Sequence, residues 1–160
     1  MKGIIHERGF KWYTDMKIVM QPIQDEVVQY NWLISKYECN HYPSEKIAYG
    51  NNYVWLSGEE LLNIVNQYKI QFIWGVFSAF SKEFKLNDIL QYELPSADGY
   101  TEFWHNPINM QHPLAIIEIV PWDSTLFLLM SKVDEIVNKI IFSFPESKDL
   151  EMYNKAGEIN

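Results

Sequence analysis

Leu114-Ala115-Ile116-Ile117-Glu118-Ile119-Val120, Pro121-Trp122-Asp123-Ser124 and Leu126-Phe127-Leu128-Leu129-Met130 make up the stretch whose reading decides the fold. The outer segments are short apolar runs. The first is rich in β-branched residues and too short for an ordinary helix. Apolar residues at successive positions put side chains on both faces of a strand, as in a sheet covered on each side. Between the runs, Pro121 presets a turn dihedral, and Asp123 and Ser124 can bond back to the local backbone. The segment therefore predicts an antiparallel hairpin.

A helix is predicted to follow it. Val133, Ile136, Val137, Ile140, Ile141 and Phe144 recur three and four apart, the spacing of one helical face. Ser131 is the expected N-cap with Asp134 three residues on, and Pro145 is the stop. Burying all six side chains would contribute roughly 1.5–3 kcal/mol each before the entropy of ordering them.

Outward from this centre the chain alternates element and turn. Trp12, Met16, Val19, Met20 and Ile23 predict a helix over 11–20 that ends near Pro22, with a short turn carrying Val27 and Val28. Tyr30–Glu38 predicts a strand with Trp32, Ile34 and Lys36 on one face. Residues 40–52 read as a loop with a short strand at Ile47–Tyr49, and Tyr53–Leu56 as another strand. Ser57-Gly58-Glu59-Glu60 is a capping box, with Leu56 and Leu61 placed for a hydrophobic staple. Its helix should bury Leu61, Leu62, Val65 and Tyr68. Glu59 and Glu60 are then capping and dipole residues, not catalytic acids.

Ile70–Phe80 predicts a central strand with Phe72, Trp74 and Val76 on one face and Ile73, Phe77 and Ala79 on the other. Gly75 in its middle marks a bulge or a close approach. Asn87 and Asp88 can cap a short helix to Tyr92. Pro95 to Pro113 breaks the pattern and reads as a long aromatic loop, a class that is functional or mobile. The whole predicts one domain over 1–160, α+β, built on a mostly antiparallel sheet of four to six strands. Helices at 11–20, 58–67 and 132–144 pack on it, and 155–160 form a flexible tail.

Composition bounds the function. With 160 residues, 48% apolar and 21% charged, the chain can bury a real core. Aromatic residues make up 16%, which puts Trp and Tyr either at a surface suited to protein contact or on half-buried sheet positions. A formal net charge of -8 argues against nucleic-acid phosphate as a partner. It suits solubility, and equally a basic protein partner. Cys39 is the single cysteine, so no internal disulfide forms and a reducing compartment is expected. The N-terminal residues lack the apolar core of a signal peptide, and no uncharged apolar run approaches the roughly 18–20 residues of a membrane helix. The expected location is cytoplasmic, with no membrane contact.

Chemistry-bearing residues are few. His105 and His112, with Asp98 and Glu102 nearby, match no zinc spacing, and no metal or other cofactor is expected. Cys39 and His41 would have to converge in space to act as a nucleophilic pair. Glu118 is the odd residue of an apolar strand. It is either a tuned acid, a solvent-facing edge residue or a partner for Lys132. Asp123-Ser124 is explained by turn chemistry. No glycine-rich phosphate loop or nucleophile elbow occurs, so an enzyme is not expected.

Three stretches together resemble a group of small uncharacterised bacterial proteins: Tyr30-Asn31-Trp32-Leu33-Ile34, the Trp55 to Leu61 strand-to-helix junction, and Asp123-Ser124-Thr125 with Leu126 to Met130. Phe144-Pro145, Asp149-Leu150-Glu151 and Tyr153-Asn154 extend the resemblance, which spans residues 30–154. Some proteins of that kind look like immunity proteins, which neutralise toxins. The resemblance implies a cytoplasmic protein that binds a basic protein such as a toxin. Asp98, Tyr100, Glu102, Phe103 and Trp104 are the expected acidic and aromatic contact surface. Two alternatives stand beside it: a small-molecule-binding protein or hydrolase with a pocket near 95–113 that uses Glu118 or His105, and a structural or phage-derived homo-oligomer.

Overall fold

The computed structural model describes residues 1–7, 14–43 and 45–157. In chain order its elements are β1 (Lys2–His6), α1 (Met16–Met20), a 3-10 turn (Gln21–Ile23), α2 (Gln24–Val27), β2 (Tyr30–Cys39), β3 (Tyr53–Ser57) and α3 (Gly58–Gln67). There follow β4 (Phe72–Ser81), α4 (Leu86–Ile89), a second 3-10 turn (Glu102–Trp104), β5 (Ile117–Trp122), β6 (Leu126–Ser131), α5 (Asp134–Ser143), β7 (Lys148–Asp149) and α6 (Leu150–Gly157). Among the described residues, seven strands form one antiparallel sheet in the order β3-β2-β4-β5-β6-β1-β7. The class is α+β, with more strands and helical segments than expected. The additions are short and exist through distant partners: β1 pairs with β6, and the two residues of β7 pair with β1.

The hairpin is β5 and β6, paired from Ile117↔Ser131 to Trp122↔Leu126. Its turn differs from the expected one. Pro121 lies in the strand opposite Phe127, and the turn residues are Asp123 (φ 47°) and Ser124 (φ 56°). Thr125 N–H closes it on the Trp122 carbonyl at 3.0 Å. Two left-handed central residues give a turn whose twist matches that of the strands.

One face of the sheet is covered by helices. Trp32, Ile34, Phe72, Phe77, Ala79, Ile117, Ile119, Phe127 and Leu129 pack there against residues of α1, α3 and α5. In α5 the buried stripe is Ile136, Val137 and Ile140, with Phe144 just beyond. Val133 is 37% and Ile141 40% exposed: Val133 precedes the first helical turn, and Ile141 lies on the flank of the stripe. Ser131 belongs to β6, not to the helix cap; its hydroxyl accepts from Val133 N–H at 2.9 Å and bends the chain off the sheet.

The α3 capping box is present. Ser57 Oγ accepts from Glu60 N–H at 3.2 Å, and the Glu60 carboxylate accepts from Ser57 N–H at 2.9 Å. Its stripe is Leu61, Ile64 and Val65, with Leu62 and Tyr68 only half-buried. Gly58 is required for packing, because a Cβ there would stand 2.0 Å from the Val27 carbonyl oxygen. For the first helix, Trp12 and residues 11–13 lie outside the described residues. Asp15 caps α1 by accepting from Lys17 N–H. Pro22 does not end the helical path, which runs on through the 3-10 turn into α2.

Two bulges face each other across β2 and β4. One extra residue on β2 is taken up at Lys36, whose φ is 47°, and one on β4 at Ile73. Phe72 therefore turns to the helical face, away from Trp74 and Val76 with which it was expected, and Tyr37 replaces Lys36 in the core. Gly75 sits opposite the β2 bulge at φ 153°, where a Cβ would be 3.2 Å from Tyr37 Cβ. No strand forms at Ile47–Tyr49; Ile47 inserts into the helical-face core as a loop residue. Lys85, not Asn87, precedes α4 and donates its N–H to Asp88. Residues 155–157 of the expected tail are the last turn of α6, and 158–160 lie outside the described residues.

Candidate functional site

The second face of the sheet carries the candidate site, because the 95–113 segment lies flat on it. Ala97, Phe103 and Ile108 bury against Ile5, Val76, Val120, Leu128 and Met130. The loop is tied down by side chains where regular ladders are missing. Ser35 Oγ donates to the Pro95 carbonyl at 2.7 Å, and the Gln111 amide exchanges hydrogen bonds with Ser96 N–H and C=O. Asn154 of α6 donates to the Phe103 carbonyl at 3.0 Å.

Glu118 is the centre of this attachment. It is 0% exposed on the interior strand β5, so it neither faces solvent nor lies at an edge. One carboxylate oxygen accepts from Gln111 N–H at 2.9 Å; the other accepts from His112 N–H at 2.9 Å and Ser78 Oγ at 3.4 Å. Burial pushes its carboxyl up to about 7, against the pull of the backbone N–H groups at His112 and Gln111. Lys132 does not pair with it; that ammonium donates to the Pro113 carbonyl. Glu118 thus pins the end of the loop to the sheet.

His112 is also buried. Its Nδ1 accepts from Leu114 N–H at 3.2 Å, so Nε2 carries the proton and donates to the Ile89 carbonyl at 3.1 Å. Burial holds it below its usual value, so the neutral ring is the structural form. His105 is exposed, and its backbone carbonyl accepts from the Asn154 side chain at 3.4 Å. Among the described residues, no three His, Cys, Asp or Glu side chains are grouped to hold a metal ion. Cys39 is buried and its thiol is pushed up to about 12 by burial, while His41 is exposed and bonded to Asn40. The two do not form a nucleophilic pair.

Above the pinned loop stands a ridge of half-buried aromatic rings. Trp122 is its hub: the rings of Trp74 and Trp104 each meet it edge-on at 5.0 Å, and Phe103 does so at 5.9 Å. Tyr100 packs on Phe103 at 4.7 Å, and Tyr153 of α6 adjoins Trp104 at 6.3 Å. These contacts lock the rings without covering them. Of the five expected surface residues, Asp98 and Glu102 are exposed and Tyr100 and Trp104 half-buried. Phe103 is 1% exposed; it points inward and supports the ridge from below, and so offers nothing to a partner.

Beside the ridge, where the two bulges meet, a cleft of about 610 Å³ opens. Tyr37, Tyr42, Tyr49 and Trp74 line it, with Glu38 and Asp98 as its carboxylates. Tyr49 is 84% exposed at its margin and touches Tyr42 edge-on. From the sequence, Trp74 is expected in a strand and Trp122 in a turn. The missed signal is the alternation of Val120 and Trp122, which carries the outward face of β5 past Pro121. No protein-family model, no curated protein and no solved structure matches this chain.

Proposed function

We propose that this chain is a protein-binding protein whose contact surface is the aromatic ridge with its acidic margin. The immunity-type reading is its most concrete form: the chain neutralises a basic protein such as a toxin by covering it. The observation that carries the proposal is the Trp74–Trp122–Trp104–Tyr153 ridge. It is half-buried, braced edge-to-face, and flanked by the exposed carboxylates of Asp98, Glu102 and Asp123. Rigid Trp and Tyr rings lose little entropy on contact and are the residues that dominate interface energies. A net charge of -8 steers a basic partner toward them. The test is capture of the partner by the tagged chain from its host, read by mass spectrometry, with Trp104→Ala alongside. A stoichiometric basic protein, released by high salt and lost in the variant, supports the proposal; a partner held equally by Trp104→Ala refutes the site.

A second reading, a small polar ligand in the cleft, has in its favour the tyrosine and carboxylate lining beside Ser96 and Asp98. It does not use Glu118, which is sealed beneath the loop. A ligand-dependent thermal shift abolished by Tyr49→Ala would favour it.

A further inference from the structure

We infer that the β3 edge is a self-association surface, on which two copies of the chain pair β3 antiparallel to β3 across a two-fold axis at Val54. The two edges of the sheet are built differently. At one end β7 has two residues, both charged, and runs straight into α6. A short, charged edge of that kind resists strand addition. At the other end β3 reads Tyr53-Val54-Trp55-Leu56-Ser57, five residues without a charge, a proline or a glycine.

The register says which groups are open. Lys36 N–H donates to the Asn52 carbonyl at 2.8 Å, and Ser35 is paired with Tyr53. Hydrogen-bonded pairs alternate along an antiparallel ladder, so Val54 and Leu56 bond to β2 while Tyr53, Trp55 and Ser57 turn their N–H and C=O outward. Ser57 N–H is taken by the Glu60 carboxylate. Tyr53 and Trp55 are left with no backbone partner beyond β2 among the described residues.

An antiparallel second copy centred on Val54 satisfies all of these groups at once. Tyr53 then lies opposite the partner's Trp55, and Trp55 opposite the partner's Tyr53, in hydrogen-bonded pairs that supply four main-chain bonds. Tyr53 and Trp55 both lie on the face that packs with Leu33 and Phe80, so each pair also stacks aromatic on aromatic. Val54 meets its own copy on the helical face. Charge favours the same approach. Two chains of net charge -8 repel broadly, but this edge is neutral, and Glu59 and Glu60 beyond it are paired with Lys82 and Lys46. The ridge, carried by β4, β5, the 95–113 segment and α6, stays uncovered, so this inference stands independently of the proposed function.

Sedimentation equilibrium of the full chain over micromolar to millimolar concentration, with amide hydrogen exchange at Tyr53 and Trp55, tests it. The expected result is a monomer–dimer equilibrium in which those two amides become protected as concentration rises. Val54→Lys puts two ammonium groups face to face at the axis. Tyr53→Pro removes one outward N–H that the β2 ladder does not use. Each variant should keep the far-ultraviolet circular dichroism of the fold and raise the dimer dissociation constant by roughly tenfold or more. A monomer throughout with both amides unprotected overturns the inference. So does a dimer that both variants leave intact, or protection that appears only when a different protein is added.

Discussion

The two faces of the sheet are covered by different means. The helical face is sealed by amphipathic stripes: Leu61, Ile64 and Val65 of α3, and Ile136, Val137 and Ile140 of α5, meet large rings such as Trp32 and Phe77. The other face is covered by an irregular segment with the short α4 and by α6, held by side-chain hydrogen bonds at Ser35, Glu118 and Asn154. Helices satisfy their own backbone groups, so their face needs only apolar contact. A loop laid on a sheet must find a partner for each buried N–H, and a buried carboxylate supplies two such partners at once. The polar attachment leaves rings half-exposed, and the proposed binding surface is made of them.

Breaking the helical face should give the largest effect. Phe77→Ala removes a fully buried ring and is expected to destabilise the whole fold by about 3–5 kcal/mol in denaturant titration. A smaller loss, with the loop face melting first, would mean that the two faces do not unfold together.

The pH response separates the faces next. The folded Glu118 carboxyl lies above its ordinary 4.5, at about 7. The group therefore contributes stability that is fully present below the unfolded value and is lost as pH rises through about 7. At about 1.4 kcal/mol per pH unit, the rise from 4.5 to about 7 corresponds to roughly 3 kcal/mol. His112 shifts the opposite way, contributing stability above its ordinary value that is lost on acidification, but it is common to wild type and Glu118→Gln and cancels between them. Wild type should lose stability relative to Glu118→Gln from pH 4.5 to 7.5. A gap that is constant with pH would contradict the buried state of this carboxyl.

Glu118→Leu sharpens the comparison further. It leaves Gln111 and His112 N–H unmet in a buried site, a loss of about 1–3 kcal/mol. Their amides should exchange faster, while those of α3 and α5 keep their protection. On the binding side, Trp104→Ala should weaken a true complex by about 2 kcal/mol or more with little change in fold stability. The smallest effect belongs to Ile141→Ser, within about 0.5 kcal/mol, because its side chain flanks the stripe and is 40% exposed.

The helical face was legible in the sequence because its signals are local. The Ser57–Glu60 box and the three-and-four spacing of α5 lie within one or two turns of chain. The β5–β6 hairpin was legible for the same reason, although its turn is formed by Asp123 and Ser124, without Pro121. The misread residues depend on distant partners. Phe72 changes face because β2 and β4 slip against each other at Ile73 and Lys36, which no window of sequence contains. Val133 and Ile141 fit the helical period but lie outside the strip that β1 and β6 cover. Residues 95–113 were recognisable as a long aromatic loop. Their landing on the sheet was not, since it rests on Glu118 meeting backbone groups six and seven residues away and on Asn154 reaching back to Phe103. Of the expected contact residues, Phe103 was misplaced because aromatic character alone does not distinguish a ring that supports a surface from one that forms it.

In the proposed complex the loop-covered face, not the helical one, meets the partner. The most direct measurement is amide hydrogen exchange of the chain with and without the basic protein that it captures. Added protection at 98–104 and 122–125, with α3 and α5 unchanged, is the predicted result. Protection confined to α3 and α5, or none at the ridge in a complex of undiminished affinity, would contradict the account.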